Sequence, residues 1–135
     1  MRPIFTIHAG EYLVGLSIEE LFPDLRVWIP SKDDGIDLLV TNKKCTKTIS
    51  LQVKFSKDYL AKSVRDEIAI GVRSGGWWSF SPDKIKNSSA DFWVLALYQF
   101  QGRNLDFVII KPAELAEIYD KLCPDVSKIQ SYIWV

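Results

Sequence analysis

The sequence has few cysteines, no long apolar run and no excess charge of either sign. Its cysteines, Cys45 and Cys123, lack the CxxC spacing of a metal site, so we expect small apolar or surface thiols. The N-terminus lacks the basic segment, apolar run and cleavage site of a secretory signal. No apolar run reaches the roughly 20 residues that a membrane-spanning helix needs. We therefore expect a cytoplasmic protein without membrane contact.

Net charge is also absent. The 17 Lys and Arg residues balance 17 Asp and Glu residues. Because a basic balance is typical of nucleic-acid-binding proteins, zero charge argues against a broad DNA-coating surface but is compatible with a local basic groove. The 135 residues are 47% hydrophobic and include five Trp, which is enough for one core. We expect a single domain over residues 1–135.

The apolar periodicity predicts an α/β chain, more narrowly an α+β mixed sheet. A helix is predicted from His8 to Phe22, with Val14, Ile18, Leu21 and Phe22 on its buried face. The other predicted elements are strands over 25–29, 36–41, 48–55, 91–100 and 105–110, a short strand over 68–72, a short helix from Pro82 to about Ser88 with Ser81 as N-cap, and a last helix from Pro112. The apolar tail 131–135 either docks on the sheet or marks a chain truncated from a longer one.

Polar side chains alternate with apolar ones in the strand over 48–55. Gln52 and Lys54 fall on the same face, with Val53 between them on the other, because strand side chains alternate with period two. The two polar groups are therefore neighbours. A half-exposed strand with a solvated polar face gives the same pattern, so this strand alone does not indicate chemistry.

The preceding strand holds a carboxylate in an unusual place. Asp37 interrupts the apolar run 36–40, where a carboxylate is costly unless it is paired or binds a metal. If strands 36–41 and 48–55 form a hairpin, Asp37 lies beside Gln52 and Lys54. The alternative is an Asp at a strand end that accepts hydrogen bonds from the backbone.

The first predicted helix holds a second carboxylate. At about 100° per residue, Glu11 lies in the middle of the stripe that Val14, Ile18 and Phe22 form. An acid in the first turn also favours the helix dipole. That alternative explains where Glu11 stands in the chain but not which face it occupies.

These residues share one chemistry. The carboxylates of Glu11 and Asp37, the amide oxygen of Gln52 and the backbone carbonyl of Val53 are hard oxygen ligands that suit Mg²⁺ or Mn²⁺. Such an ion lowers the pKa of a bound water and neutralises charge on a scissile phosphate. Lys54 would orient or help to deprotonate that water, or stabilise the charge that develops.

The order of these motifs resembles the PD-(D/E)xK nuclease superfamily, most closely its archaeal Holliday-junction resolvase branch, and is similar to restriction-endonuclease-like domains. The motifs are Gly10-Glu11, Ile29-Pro30-Ser31, Gly35-Ile36-Asp37 and Gln52-Val53-Lys54. The resemblance implies a core of one helix, three antiparallel strands, a crossover helix and a further strand. To this core the present chain would add a hairpin strand and a C-terminal helix.

The resemblance also implies a site. The helix Glu, the strand Asp and the (E/Q)xK strand form the metal site of that family, and Ser31 stands where resolvase-like members have a contributing Ser. Position 52 is Gln, whereas Glu is the commonest family residue there. A neutral ligand weakens a magnesium site, and inactive relatives exist.

A nuclease also needs a cationic surface that follows the phosphate backbone of DNA. The candidates that flank the site in sequence are Lys32, Lys57, Lys62, Arg65 and Arg73. Trp77 and Trp78 could stack on bases or wedge a junction, or could instead cover the sheet or a dimer interface. The resemblance implies a homodimer, and we expect no small-molecule cofactor.

Two functions from different classes follow. The first is a Mg²⁺-dependent DNA endonuclease that hydrolyses phosphodiester bonds with a metal-activated water. The second is a catalytically inactive nuclease-like module that binds DNA or another protein. Glu11 and Lys54 favour the first function, whereas Gln52 and the zero net charge favour the second. A third option is that the chain is the nuclease part of a larger restriction or defence protein.

Overall fold

The computed structural model describes residues 8–32, 34–57, 71–99 and 104–135, with only the backbone described for Lys57, Gln99 and Asn104. It contains the helices α1 (Ala9–Leu21), α2 (Pro82–Lys86) and α3 (Pro112–Leu122). Its strands are β1 (Leu25–Trp28), β2 (Leu38–Asn42), β3 (Thr48–Lys57), β4 (Gly75–Phe80), β5 (Phe92–Gln99), β6 (Asn104–Ile110) and β7 (Ile129–Trp134).

Five strands form one mixed sheet in the order β1-β2-β3-β5-β6. The first three pair antiparallel, β3 and β5 pair parallel, and β5 and β6 form an antiparallel hairpin. The predicted mixed α+β fold, with its added hairpin strand and C-terminal helix, is therefore confirmed. A parallel pair needs a crossover connection. Here that connection includes β4 and α2, and its residues 58–70 lie outside the described residues.

The sheet is apolar on both faces, which agrees with the continuous apolar character of β5. On one face α1 covers a cluster of buried side chains formed by Val14, Leu38, Val40, Leu51, Val53, Val94 and Ala96. On the other face α2, α3 and the β4–β7 pair enclose the cluster Trp78, Phe80, Ile85, Ala90, Trp93, Leu95, Leu97, Leu115, Tyr119 and Ile129. The fold thus has three layers, and the sheet is the middle one.

Two details of the predicted first half are wrong. Strand β2 begins at Leu38, so Asp37 lies immediately before it and not inside it. Leu21 and Phe22 are 69% and 55% exposed. Leu21 lies about 80° from Glu11 around the helix, at the margin of the buried stripe. Phe22 is the C-cap with φ −130°, so the helical period no longer sets its direction.

The helix ends follow from local sequence. Ser81 is the N-cap of α2, its hydroxyl oxygen accepts a hydrogen bond from the Lys84 N–H at 3.4 Å, and Pro82 opens the helix. Pro112 opens α3 in the same way. Both predicted starts are confirmed. Proline is favoured at the first helical position because the N–H that it lacks would have no partner within the helix there.

The second sheet was not predicted. Strand β4 begins with two glycines, which are typical of turns, yet it pairs antiparallel with β7 from Gly75↔Trp134 to Phe80↔Ile129. The apolar tail therefore docks on β4 and not on the larger sheet. Of the strand predicted over 68–72, residues 68–70 lie outside the described residues, and Gly71 and Val72 are not in a strand.

Neither cysteine forms a disulfide: Cys45 is exposed and Cys123 is half-buried. Within the described parts of the chain, no helix combines the length and the apolar character needed to cross a membrane.

Candidate active site

A cleft opens where β2 and β3 separate. The two strands pair only from Leu38↔Leu51 to Thr41↔Thr48. Strand β3 continues beyond Leu51 to Lys57 and pairs there with β5 on its other side. The second half of β3 therefore has an edge that β2 does not cover. Exposed backbone groups on such an edge need other partners.

Asp37 supplies the first of these partners. Its side-chain Oδ2 accepts a hydrogen bond of 2.7 Å from the Val53 N–H, and its own N–H donates to the Leu51 carbonyl at 2.8 Å. The Asp37 side chain is 7% exposed. Backbone capping, the alternative that the sequence left open, is thus part of what this carboxylate does. It does so at the wall of the cleft, because Asp37 is one of the residues that line it.

The cleft has a volume of about 1060 Å³, and Glu11, Asp37, Gln52, Val53 and Lys54 all line it. The Leu51 carbonyl and the Val53 N–H both point toward Asp37. Alternate residues of a strand direct their backbone groups to the same side, so the Val53 carbonyl points toward this cleft too. The structure therefore brings together the four residues that the sequence assigned to the metal and Lys54, to which it assigned a catalytic role.

Glu11 reaches the cleft because α1 lies very close to β3. A methyl group built on Gly10 would stand 2.4 Å from the Phe55 Cβ, closer than real carbon atoms approach. Glycine is therefore required for this helix to pack here. The next residue, Glu11, is 3% exposed and lines the cleft. Its predicted position on the buried face of α1 is confirmed.

Lys54 is oriented by an aromatic ring. Its Nζ lies 5.3 Å from the centre of the Trp93 ring, within cation–π range. The Trp93 Nε1–H in turn donates to the Ser88 Oγ at 2.8 Å. The ammonium group thus lies over a buried ring whose own orientation is fixed. Beside it, Gln52 is half-buried, with the Gly35 turn (φ +81°) adjacent to its amide.

The charges that line the cleft are unequal. The carboxylates are Glu11, Asp34, Asp37 and Asp83, whereas the ammonium groups are Lys54 and Lys84. With His8 neutral, the lining has a formal excess of two negative charges. Carboxylates held close together repel each other, and a divalent cation offsets that repulsion.

The chemical types of the donor atoms suit such a cation. Glu11 and Asp37 offer carboxylate oxygens, Gln52 an amide oxygen and Val53 a carbonyl, which are the ligands that Mg²⁺ and Mn²⁺ accept. Across residues 8–32, 34–57, 71–99 and 104–135, no group of three or more His, Cys, Asp or Glu side chains is placed to hold a metal ion. A metal here would therefore depend on two carboxylates supplemented by neutral oxygens.

Several predicted residues lie elsewhere. Ser31 and Lys32 are exposed and are not among the residues that line the cleft. The Arg73 guanidinium pairs with Asp106, with Nη2 2.6 Å from Oδ1. Lys62 and Arg65 lie outside the described residues, and so does the side chain of Lys57.

The two adjacent tryptophans have different environments. Trp77 is 37% exposed, and its backbone N–H donates to the Ser56 Oγ at 3.0 Å. Trp78 is 6% exposed and stacks on Phe80 with ring centres 6.3 Å apart. It belongs to the core cluster and also lines the cleft from inside. Of the two, only Trp77 therefore offers a ring to the outside.

One wall of the cleft was not predicted. It is formed by α2 and the residues that follow it, where Lys84, Asn87 and Ser88 line the cavity. The Ser89 hydroxyl donates to the Asp34 carbonyl at 3.4 Å and so joins this wall to the turn before β2. No motif in the sequence marks these residues, because their proximity to Asp37 arises only from the crossover between β3 and β5.

A further carboxylate fastens β3 to β5 near the site. Asp91 Oδ2 accepts hydrogen bonds from the Ser50 N–H at 2.7 Å and from the Ser50 hydroxyl at 2.8 Å. These two bonds hold the pKa of Asp91 below its ordinary value, and the bond from the Ser50 backbone has the larger effect. The Asp91 N–H returns a bond to the Ser50 Oγ at 3.0 Å. The parallel pairing of β3 and β5 is thus fixed where β5 begins.

No family model matches this chain, and no curated protein matches it. A solved structure that resembles it is that of the bacterial homing endonuclease I-Ssp6803I. The two sequences are 16% identical, the match covers 97% of this chain and 76% of that chain, and the TM-score is 0.45. A likeness at this level supports no conclusion on fold or function, so the indications of function are those of the cleft itself.

Proposed function

We propose that this protein is a metal-dependent DNA endonuclease of the PD-(D/E)xK type that hydrolyses phosphodiester bonds. One observation above all supports the proposal. The buried carboxylates of Glu11 and Asp37 and the ammonium group of Lys54 line a single cleft at the divergence of two strands. These groups come from α1, from the turn before β2 and from β3, so only the tertiary fold brings them together.

Glu11, Asp37, Gln52 and the Val53 carbonyl are the residues that would hold Mg²⁺ or Mn²⁺. When bound, the ion supplies charge neutralisation at the phosphate and a more acidic water. Asp37 is held for this role by its bond from the Val53 N–H. That bond fixes the direction of the carboxylate before any ligand arrives, which lowers the reorganisation that binding requires.

Lys54 has a separate role in the proposed reaction. Its ammonium group, placed over the Trp93 ring, orients the attacking water or stabilises the negative charge that develops on the phosphate. A cation in a fixed position is effective here because it needs no rearrangement in the transition state. Ser31, on an exposed turn, is given no step.

A second candidate is a nuclease-like module that binds DNA without cutting it. Gln52 and the small number of clustered carboxylates favour it, because each neutral ligand weakens the attraction for Mg²⁺. The two candidates differ in one measurable property. The enzyme cuts DNA in the presence of Mg²⁺ or Mn²⁺, whereas the module binds DNA and leaves it intact.

The test is a cleavage assay with purified protein on linear duplex, single-stranded, flapped and four-way-junction DNA, with Mg²⁺, Mn²⁺ or EDTA. We expect products with either metal and none with EDTA. Lys54→Met should lower the rate at least about 100-fold, the magnitude typical for loss of one preorganised electrostatic group. Asp37→Asn should remove cleavage, because it removes a charged metal ligand.

Matched controls are available on the surface. Lys47 is an exposed lysine of the hairpin between β2 and β3, so Lys47→Met should cut at the normal rate. Asp120 forms an exposed ion pair with Lys86, so Asp120→Asn should do the same. Absence of cleavage on every substrate, combined with absence of Mg²⁺ binding in calorimetry, would sink the enzyme proposal. DNA binding without cleavage would select the second candidate.

A further inference from the structure

Helix α2 is short but firmly anchored. Ile85 in its middle is 1% exposed and belongs to the core cluster that Trp93 and Leu95 share. Lys86 at its end pairs with Asp120 of α3, with Nζ 3.0 Å from Oδ1. The burial of Ile85 fixes the rotation of α2 about its axis, whereas the exposed Lys86–Asp120 pair adds little to it. Lys84, two residues before Lys86, consequently lines the cleft, whereas Lys86 is held against α3.

The charge of the cleft gives Lys84 a distinct position. Of the described residues that line the cavity, Lys54 and Lys84 have positive side chains. Lys54 lies over the Trp93 ring, next to Gln52 in β3. Lys84 stands on a separate wall and is exposed. A DNA strand entering a cleft with excess negative charge needs a cation away from the reacting phosphate, and Lys84 is placed to provide it.

Ser88 and Asn87, on the same wall, can donate hydrogen bonds to a ligand. Ser88 Oγ accepts from the Trp93 Nε1–H at 2.8 Å and from the Ala90 N–H at 3.3 Å. These two bonds occupy its acceptor positions, so its hydroxyl hydrogen remains to donate to a ligand. Asn87, also in the lining, has an amide NH₂ that can do the same. Asp83 is the acidic member of this wall and restricts where a phosphate can lie.

We infer that Lys84, Asn87 and Ser88 form a second phosphate-binding site, which holds a DNA backbone phosphate next to the one that is cleaved. The inference rests on the proposed function for its ligand. Lys84 contributes the charge, and Asn87 and Ser88 donate to phosphate or sugar oxygens, as such side chains do in protein–DNA contacts. Lys84 is therefore a positioning residue that sets the register of the strand and takes no part in bond cleavage.

The experiment compares Lys84→Gln with Lys86→Gln, two changes of equal chemistry in one helix. Binding to a labelled DNA duplex is measured by fluorescence anisotropy between about 50 and 300 mM salt, once with Ca²⁺ and once with EDTA. The logarithm of the binding constant falls linearly with the logarithm of salt concentration. Loss of one phosphate contact makes that slope less negative by about 0.9 on duplex DNA and by about 0.7 on single strands. We expect this loss, on every DNA sequence alike, for Lys84→Gln and an unchanged slope for Lys86→Gln.

The cleavage assay adds a second measurement. Lys84→Gln should raise KM several-fold with little change in kcat, because its contact is the same in the ground and transition states. Lys54→Met should instead lower kcat. Because both lysines are exposed, we expect both glutamine variants to unfold at the wild-type temperature. That result would show that the fold is intact.

The outcomes separate the two proposals. A wild-type slope for Lys84→Gln, or an equal loss for Lys86→Gln, overturns the inference. Failure of the wild-type protein to bind any DNA overturns it as well. If the wild-type protein binds DNA but never cuts it, the endonuclease proposal falls, while a reduced slope for Lys84→Gln alone would still support the phosphate site.

Discussion

The Asp37 carboxylate accepts a 2.7 Å hydrogen bond from the Val53 N–H where β2 leaves β3. This bond gives the Val53 N–H a partner on the edge of β3 that β2 no longer covers. It also holds a buried carboxylate at the wall of the cleft. One side chain thus has a structural role and a proposed ligand role, and substitutions can separate the two.

Asp37→Ala should lower the free energy of unfolding by about 1–3 kcal/mol, because it leaves the buried Val53 N–H without its acceptor. Asp37→Asn should lower it less, since the amide oxygen can still accept that bond. Both variants should lose Mg²⁺ binding. Urea denaturation measures the first effect and titration calorimetry the second. An Asn variant that binds Mg²⁺ like the wild type would show that Asp37 is only a backbone cap.

Gln52→Glu should tighten Mg²⁺ binding by at least about tenfold, because a third carboxylate adds a full charge beside Glu11 and Asp37. The rate of DNA cleavage at limiting Mg²⁺ should rise with it. Calorimetry with Mg²⁺ and with Ca²⁺ tests the affinity. Unchanged binding of both ions would place the metal away from Gln52, and Gln52→Leu serves as the variant that removes the oxygen ligand altogether.

The two glycines of α1 make a matched pair. Gly10→Ala should destabilise the protein by about 1–3 kcal/mol, because the new methyl group would meet the Phe55 Cβ at 2.4 Å and push the helix from β3. In Gly15→Ala the nearest atom, Val27 Cγ1, is 3.4 Å away. That change should be neutral or stabilising by up to about 1 kcal/mol, since alanine favours helix.

Displacement of α1 also moves Glu11. Gly10→Ala should therefore weaken Mg²⁺ binding as well as stability, whereas Gly15→Ala should leave metal affinity unchanged. Urea denaturation and calorimetry on the same samples give both values. Equal stability of the two variants would contradict the close contact between α1 and β3.

The bonds from Ser50 to Asp91 predict a pH dependence of stability. They lower the pKa of folded Asp91 below 3.8, so the unfolded chain takes up the proton first as pH falls. The stabilisation is complete above about pH 5 and is lost as pH falls through the folded pKa. Asp91→Asn should therefore be less stable than wild type at pH 6, and the difference should shrink toward pH 3.

Urea denaturation at several pH values measures that difference. Glu117→Gln, at an exposed position of α3, is the control and should follow the wild-type curve. A difference between Asp91→Asn and wild type that stays constant from pH 6 to about pH 3 would show that the charge of Asp91 does not stabilise the fold.

Much of the geometry of the candidate site was predictable because its signals are local. The alternation of β3 puts Gln52 and Lys54 on one face whatever surrounds them, and the 3.6-residue period of α1 directs Glu11 inward. The strong apolar runs likewise identified β5 and its hairpin partner. The same rules failed at Phe22, where the helix had already ended and the period no longer applied.

Sequence periodicity by itself determined which faces of α1 and β3 hold Glu11, Gln52 and Lys54. Only the tertiary structure decided that β2 leaves β3 after Leu51, that Lys54 lies over Trp93, and that α2 brings Lys84 to the same cleft. Those relationships join segments far apart in the chain, and pairing and packing over such distances depend on the whole core. A local pattern fixes the direction of a side chain, but the residues it meets are chosen by the fold.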